Sequence, residues 1–140
     1  MTIFTAIHPA GHSRPIGKYS PAVAVPIGAG RRLLFISGQV ATDAGGAVLA
    51  PGDARAQTEI IFERLTSILH TAGGDLSALV SVVIYLRDIA DFPAVSAVRN
   101  RVLATPPPAS TLVQVASLAE AGCVVEISGV AVIGEDGERG

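Results

Sequence analysis

The sequence predicts an α+β fold, a mixed β-sheet with two helices packed on one of its faces. Two stretches, Asp53 to Ala72 and Asp91 to Leu103, repeat apolar residues at helical spacing. Other stretches are rich in Val and Ile, and the longest of these are apolar on both sides. Gly and Pro clusters separate all of these segments and order them as β-β-α-β-α-β-β. A third early strand around Ala47 to Leu49 is compatible with the same pattern.

The first 17 residues contain His8, Pro9, Gly11, His12, Pro15 and Gly17 without periodicity and read as an extended arm. His8 and His12 are spaced like metal ligands on one helix face. Pro9 and Gly11 oppose a helix there, however, and no carboxylate or cysteine neighbours them, so no metal site is expected. Tyr19-Ser-Pro-Ala-Val23 begins the first strand, and Gly28-Ala-Gly30 turns it back as a β-hairpin. The returning strand holds Leu33-Leu-Phe-Ile-Ser-Gly-Gln-Val40, in which Ser37-Gly38 interrupts an apolar run. Two readings stay open at that point. Either the serine is satisfied inside a strand that bends at glycine, or its hydroxyl and the bare glycine backbone are offered to a ligand.

Asp43 to Gly46 is turn chemistry, Pro51-Gly52 marks a boundary, and Asp53 is an N-cap for a helix running to about Ala72. Ile61, Leu65, Ile68, Leu69 and Ala72 form its apolar stripe, with Glu59, Glu63, Arg64 and Ser67 on other faces. Gly73-Gly74 stops this helix, and His70 in its last turn is placed in solvent, where the dipole favours it. Ser81 to Arg87 is a strand by composition. Asp91 and Pro93 start the second helix, Val95, Val98 and Val102 give it an apolar face, and Thr105-Pro-Pro-Pro108 ends it. Ser110 to Ser117 and Cys123 to Ile133 are the last strands, followed by a polar, frayed tail over 134–140.

A chain of 140 residues is read as a single domain. With net charge −2 and pI near 5.8 it carries no nucleic-acid footprint. No apolar run reaches membrane-spanning length, and the N-terminus lacks the pattern of a signal peptide. The single cysteine, Cys123, excludes an internal disulfide and fits a reducing compartment. A cytoplasmic protein with no nucleic-acid or membrane partner is expected.

Hydrophobic residues make up 49% and charged residues only 16%, more apolar surface than one small fold can hide. The strand faces lead to the same conclusion. Val124, Val130 and Val132 lie on one side of the last strand, with Val125, Ile127, Ala131 and Ile133 on the other. In the middle strand Val82, Ile84 and Leu86 lie opposite Val83 and Tyr85. Two helices cover one face, so further copies of the chain are expected to cover the second.

Glu126 stands alone in Cys123-Val-Val-Glu-Ile-Ser-Gly-Val-Ala-Val-Ile133, with Ser128 on its face. A carboxylate in such surroundings must be hydrogen-bonded, protonated or turned to a wet cavity. Desolvation would raise its pKa toward the range useful for proton transfer. The structural alternative is a glutamate that caps neighbouring backbone at an interface.

Tyr19-Ser-Pro-Ala22, Leu34-Phe-Ile-Ser-Gly-Gln39, the Gln57-containing helix ending at Ala72-Gly73, Asp88-Ile-Ala-Asp-Phe92, Pro108-Ala-Ser-Thr111 and Val125-Glu-Ile127 follow one another in a recognisable order. In these pieces the chain resembles the RidA/YjgF family of reactive-intermediate (enamine/imine) deaminases, also labelled L-PSP endoribonucleases. The resemblance implies a chorismate-mutase-like homotrimer whose sheets meet at the centre, with small-molecule pockets at the subunit interfaces. It also implies cofactor-free hydrolysis of 2-enamine or 2-imine acids to 2-keto acids and ammonia. By position it makes Tyr19 a pocket residue, Ser37 and the Gly38 backbone substrate contacts, and Glu126 the group that positions or activates water. Glu126 and Ser37 are thus the catalytic candidates.

One position departs from the family. Its active deaminases clamp the substrate carboxylate with an arginine in a Pro-Ala-Arg-Ser-Thr segment, and here Pro107-Pro-Ala-Ser-Thr111 places Ala109, followed by Ser110, in that part of the substrate site. A charge-assisted bidentate pair contributes roughly 1.5–3 kcal/mol, so its loss weakens binding by about one to two powers of ten. Arg14, in the arm, could reach across an interface instead. Arg31, Arg32, Arg87, Arg99 and Arg101 read as solvated charges. Two functions follow: a deaminase with altered substrate preference, or a non-deaminating small-molecule-binding or regulatory trimer. The ribonuclease label finds no support in an acidic chain without a basic, aromatic patch.

Overall fold

The structure, a computed structural model, describes residues 3–134, so the tail expected over 134–140 lies outside the described residues beyond Gly134. Among the described residues a six-stranded sheet has the order β1-β2-β3-β6-β4-β5. Its strands are β1 (Thr5–Ile7), β2 (Ala22–Gly28), β3 (Arg31–Gln39), β4 (Leu79–Leu86), β5 (Ala109–Gln114) and β6 (Val125–Ile133). Only β4 and β5 run parallel; every other neighbouring pair is antiparallel, which makes the sheet mixed as expected.

Two helices, α1 (Ala54–Thr71) and α2 (Phe92–Val102), pack on one face. Asp53 caps α1 as predicted, its carboxylate accepting from Ala56 N at 3.0 Å. Gly73, at φ +95°, ends it in a conformation that favours glycine. The expected stripe of Ile61, Leu65, Ile68, Leu69 and Ala72 is buried throughout, while His70 is exposed. Opposite it the sheet presents Leu34, Ile36, Val82, Ile84, Leu86, Val125, Ile127, Ala131 and Ile133, all buried. Each large side chain so buried contributes about 1.5–3 kcal/mol.

The second face carries Val23, Val25, Leu33, Phe35, Val83, Tyr85, Val113, Glu126, Ser128, Val130 and Val132, none of them fully buried. Phe35 is 44% and Val113 40% exposed. The alternation predicted for β4 and β6 therefore holds, and the helices leave one apolar face uncovered.

Three departures from the sequence reading concern the first half of the chain. The arm contains β1, which pairs antiparallel with Ala22–Ala24 and sends Ile7 into the core. The third early strand is reduced to an isolated bridge between Thr42 and Val48. Between Ile36 and Gln39 the β3–β6 register slips, because Ile36 faces Gly129 while Gln39 faces Ile127. Ser37-Gly38 is thus a β-bulge with one residue more than its partner strand.

Candidate functional site

The bulge is placed where β3 ends and β6 begins, and a cavity of about 120 Å³ opens there. Residues of the arm (Ser13 to Ile16), Tyr19, Gly38, Gln39, Arg64, Glu120 and Glu126 contribute to its wall. The arm is held in place by Ser13 Oγ, 3.3 Å from Thr42 Oγ1. Arg14, which the sequence allows to reach across an interface, lines the cavity of its own chain.

Glu126 and Gly38 are in close apposition. A Cβ built on Gly38 would lie 2.2 Å from Glu126 Oε2, so the carboxylate uses the space that glycine leaves. Burial raises the Glu126 carboxyl above the ordinary glutamate range. Burial, followed by the charges of Glu120 and Glu126, also raises the buried Cys123 thiol, which makes it a poor nucleophile.

Ser37 uses the bulge differently. Its Oγ donates to Ser20 O at 2.7 Å and its backbone N to Pro21 O at 2.9 Å. Ser37 is absent from the cavity wall and instead ties down the segment next to Tyr19. Both parts of the sequence reading apply here: the hydroxyl is satisfied in the strand, and the bare backbone at Gly38 faces the cavity.

Arg64 was placed by the sequence on an outer helix face, and the structure turns it inward. It is half-buried, with Nε donating to Gln39 Oε1 at 3.2 Å and Nη1 to Thr42 O at 3.1 Å. Gln39 in turn donates from Nε2 to Ser37 O at 2.9 Å, so bulge and guanidinium belong to one network. Burial lowers the Arg64 pKa, and the neighbouring Tyr19 opposes that shift. The pKa of His12 in the arm is lowered, first by burial and then by the charge of Arg64, and its buried Nδ1 has no partner among the described residues. A signal for Arg64 existed: Gln57, Ile61, Arg64 and Ile68 recur at four, three and four residues, the spacing of one helix face.

Ala109 and Ser110 lie elsewhere. Both are on β5, at the sheet edge and two strands from β6. Ala109 pairs with Ser81 and takes the uncovered face, whereas Ser110 pairs with Val82 and points to the helix side, where Arg99 Nη1 approaches it at 3.5 Å. Within one chain neither reaches the cavity. Among the described residues no group of three His, Cys, Asp or Glu side chains comes together as a metal site. Nor, among them, is any helix long and apolar enough to cross a membrane.

By fold and site this is a small α+β protein with a mixed sheet, two helices on one face and a carboxylate-bearing cavity at a strand bulge. Residues 11–133 match the family model described as Endoribonuclease L-PSP. The chain is 39% identical over 127 residues to Protein DfrA of Myxococcus xanthus, covering 91% of this chain and 94% of that one. It is 34% identical over 125 residues to the 3-aminoacrylate deaminase RutC of Acinetobacter baylyi, covering 89% and 94%. A crystal structure of RidA from an Antarctic Psychrobacter superposes with a TM-score of 0.80 at 35% identity, covering 92% and 99%. The chain belongs to the RidA/YjgF family, the Endoribonuclease L-PSP family of that model.

Proposed function

We propose that the protein is an enamine/imine deaminase that hydrolyses a reactive imine, without a cofactor, to a carbonyl compound and ammonia. The observation that carries this reading is the Glu126 carboxylate seated against bare Gly38 in a cavity shared with Tyr19. The likeness to a relative named as a 3-aminoacrylate deaminase supports it. An imine carbon is already electrophilic, so placing water and moving protons suffice. Water adds to the carbon as Glu126 takes its proton, which gives a carbinolamine. Glu126 returns that proton to nitrogen and then relays the carbinolamine hydroxyl proton to it as well, so that the C–N bond breaks and C=NH plus H₂O has become C=O plus NH₃. A carboxyl raised by burial suits both halves of that transfer. Ser37 serves here as a positioning residue that holds Ser20, and with it Tyr19, at the cavity.

The uncovered sheet face supports assembly as a homotrimer with the sheets at its centre, the small-molecule pockets lying between cytoplasmic subunits. In such an assembly Ala109, on that face, would belong to the wall of a neighbour's pocket. The test is ammonia release from imines generated in situ, with acidic and neutral side chains. Turnover above the buffer rate that Glu126→Ala abolishes supports the reading; identical behaviour of the two proteins ends it.

Ala109 favours a second reading, a non-deaminating small-molecule-binding or regulatory trimer. Ammonia release that appears only in Ala109→Arg would support it, and activity in the natural protein would remove it.

A further inference from the structure

We propose that Arg64 receives the carboxylate of the ligand in this cavity, supplying from α1 the positive charge that position 109 lacks. The proposal rests on the deaminase reading for its chemistry and adds which residue of this chain holds the acid group.

Arg64 is a held cation with capacity to spare. Gln39 Oε1 and Thr42 O engage its Nε and Nη1, and both are neutral acceptors. Gln39 Nε2 is committed to Ser37 O, which leaves its oxygen as the end facing the guanidinium. Among the described residues Nη2 has no hydrogen-bond partner. The ion pair found among them joins Arg101 to Glu59, and no described carboxylate lies within ion-pair distance of Arg64. A half-buried charge without a counter-ion is costly, and an Nη2 without a partner in a cavity wall is placed to donate to an acid. Arg14 shares the cavity but is exposed and, among the described residues, makes no hydrogen bond that would fix it. Glu126 lines the same space from β6, so one cavity offers an anion anchor and a proton-transfer group.

The test is calorimetric binding of 2-oxobutanoate and its uncharged amide to the full-length protein. The natural protein is expected to prefer the acid, and Arg64→Gln to lose acid binding about ten- to a hundredfold while keeping the amide. Arg14→Gln should leave the preference in place. A folded Arg64→Gln protein that binds the acid normally overturns the proposal, as does loss of the preference in Arg14→Gln alone. Should Arg64→Gln fail to fold, the Arg64 Nε–H resonance of the natural protein decides. Displacement by the acid but not by the amide supports the proposal, and an unmoved signal overturns it. Arg64-dependent acid binding without ammonia release removes the deaminase and leaves this proposal standing. Ammonia release with Arg64-independent binding does the reverse.

Discussion

A side chain at position 38 and the present Glu126 carboxylate exclude one another, since a Cβ on Gly38 would stand 2.2 Å from Oε2 and 2.8 Å from Cδ of Glu126. Gly38 is not in the left-handed region, so glycine is required here for space and not for backbone angle. The bulge brings bare backbone beside the one acidic side chain of β6, and each feature makes sense only with the other.

Gly38→Ala should therefore separate activity from stability. The atoms in the way are the far end of a flexible side chain, which can rotate aside at a cost of about 0.5–1.5 kcal/mol. The expected outcome is a melting temperature within a few degrees of the natural protein and a fall of at least about tenfold in kcat. Calorimetry and an ammonia-release assay on the same preparation check both halves.

Glu126→Gln gives a pH-dependent signature. Burial raises the folded-state pKa above the unfolded one, so the folded protein holds this proton more tightly. Glu126 then favours the fold below about pH 4, and that advantage fades as pH rises through the folded pKa. Glutamine has no charge to bury. The variant should melt higher than the natural protein at pH 7 to 8, and the gap should close toward pH 4 while ammonia release is lost throughout. Melting curves across that range measure it.

Gln57 is fully buried, and its amide joins three chain segments. Nε2 lies 3.2, 3.1 and 2.8 Å from Leu49 O, Ala50 O and Gly122 O, and Oε1 accepts from Val124 N at 2.9 Å. Ala50 O and Gly122 O keep second donors in Asp53 N and Gly52 N, whereas Leu49 O and Val124 N lose their partner if the amide goes. Gln57→Leu should cost roughly 2–6 kcal/mol, at about 1–3 kcal/mol for each of the two polar groups left unpaired. Chemical denaturation should show the loss as a lower midpoint at an unchanged slope.

What the sequence disclosed depended on whether the physical signal was local. Asp53 and the stripe from Ile61 to Ala72 are local, and α1 stands where they put it. The two apolar sides of β4 and β6 follow from period-two spacing and are seen in the burial pattern. β1 was hidden because three residues, Thr5–Ile7, owe their order to pairing with Ala22–Ala24 and not to their own pattern. The Ser37 hydroxyl was ambiguous because its direction depends on a register slip against β6. Ala109 and Ser110, as strand neighbours, had to face opposite sides, a constraint already present in the sequence. Arg64 fell on a buried stripe, but its charge disguised the position as a solvent one.

Phe35→Glu tests whether sister subunits cover the second sheet face. Phe35 lies beside Val23 and Val130 across the strands, and 44% of its surface is open in the single chain. If the face were solvated in the working protein, a carboxylate there would be a surface change worth within about 0.5 kcal/mol. At a packed interface it would be an unpaired buried charge, costing several kcal/mol at each copy. The two situations are therefore far apart in energy. Sedimentation at micromolar concentration is expected to give three times the chain mass for the natural protein and a monomer for Phe35→Glu. A monomer in both would mean that the apolar face has no sister subunit to cover it.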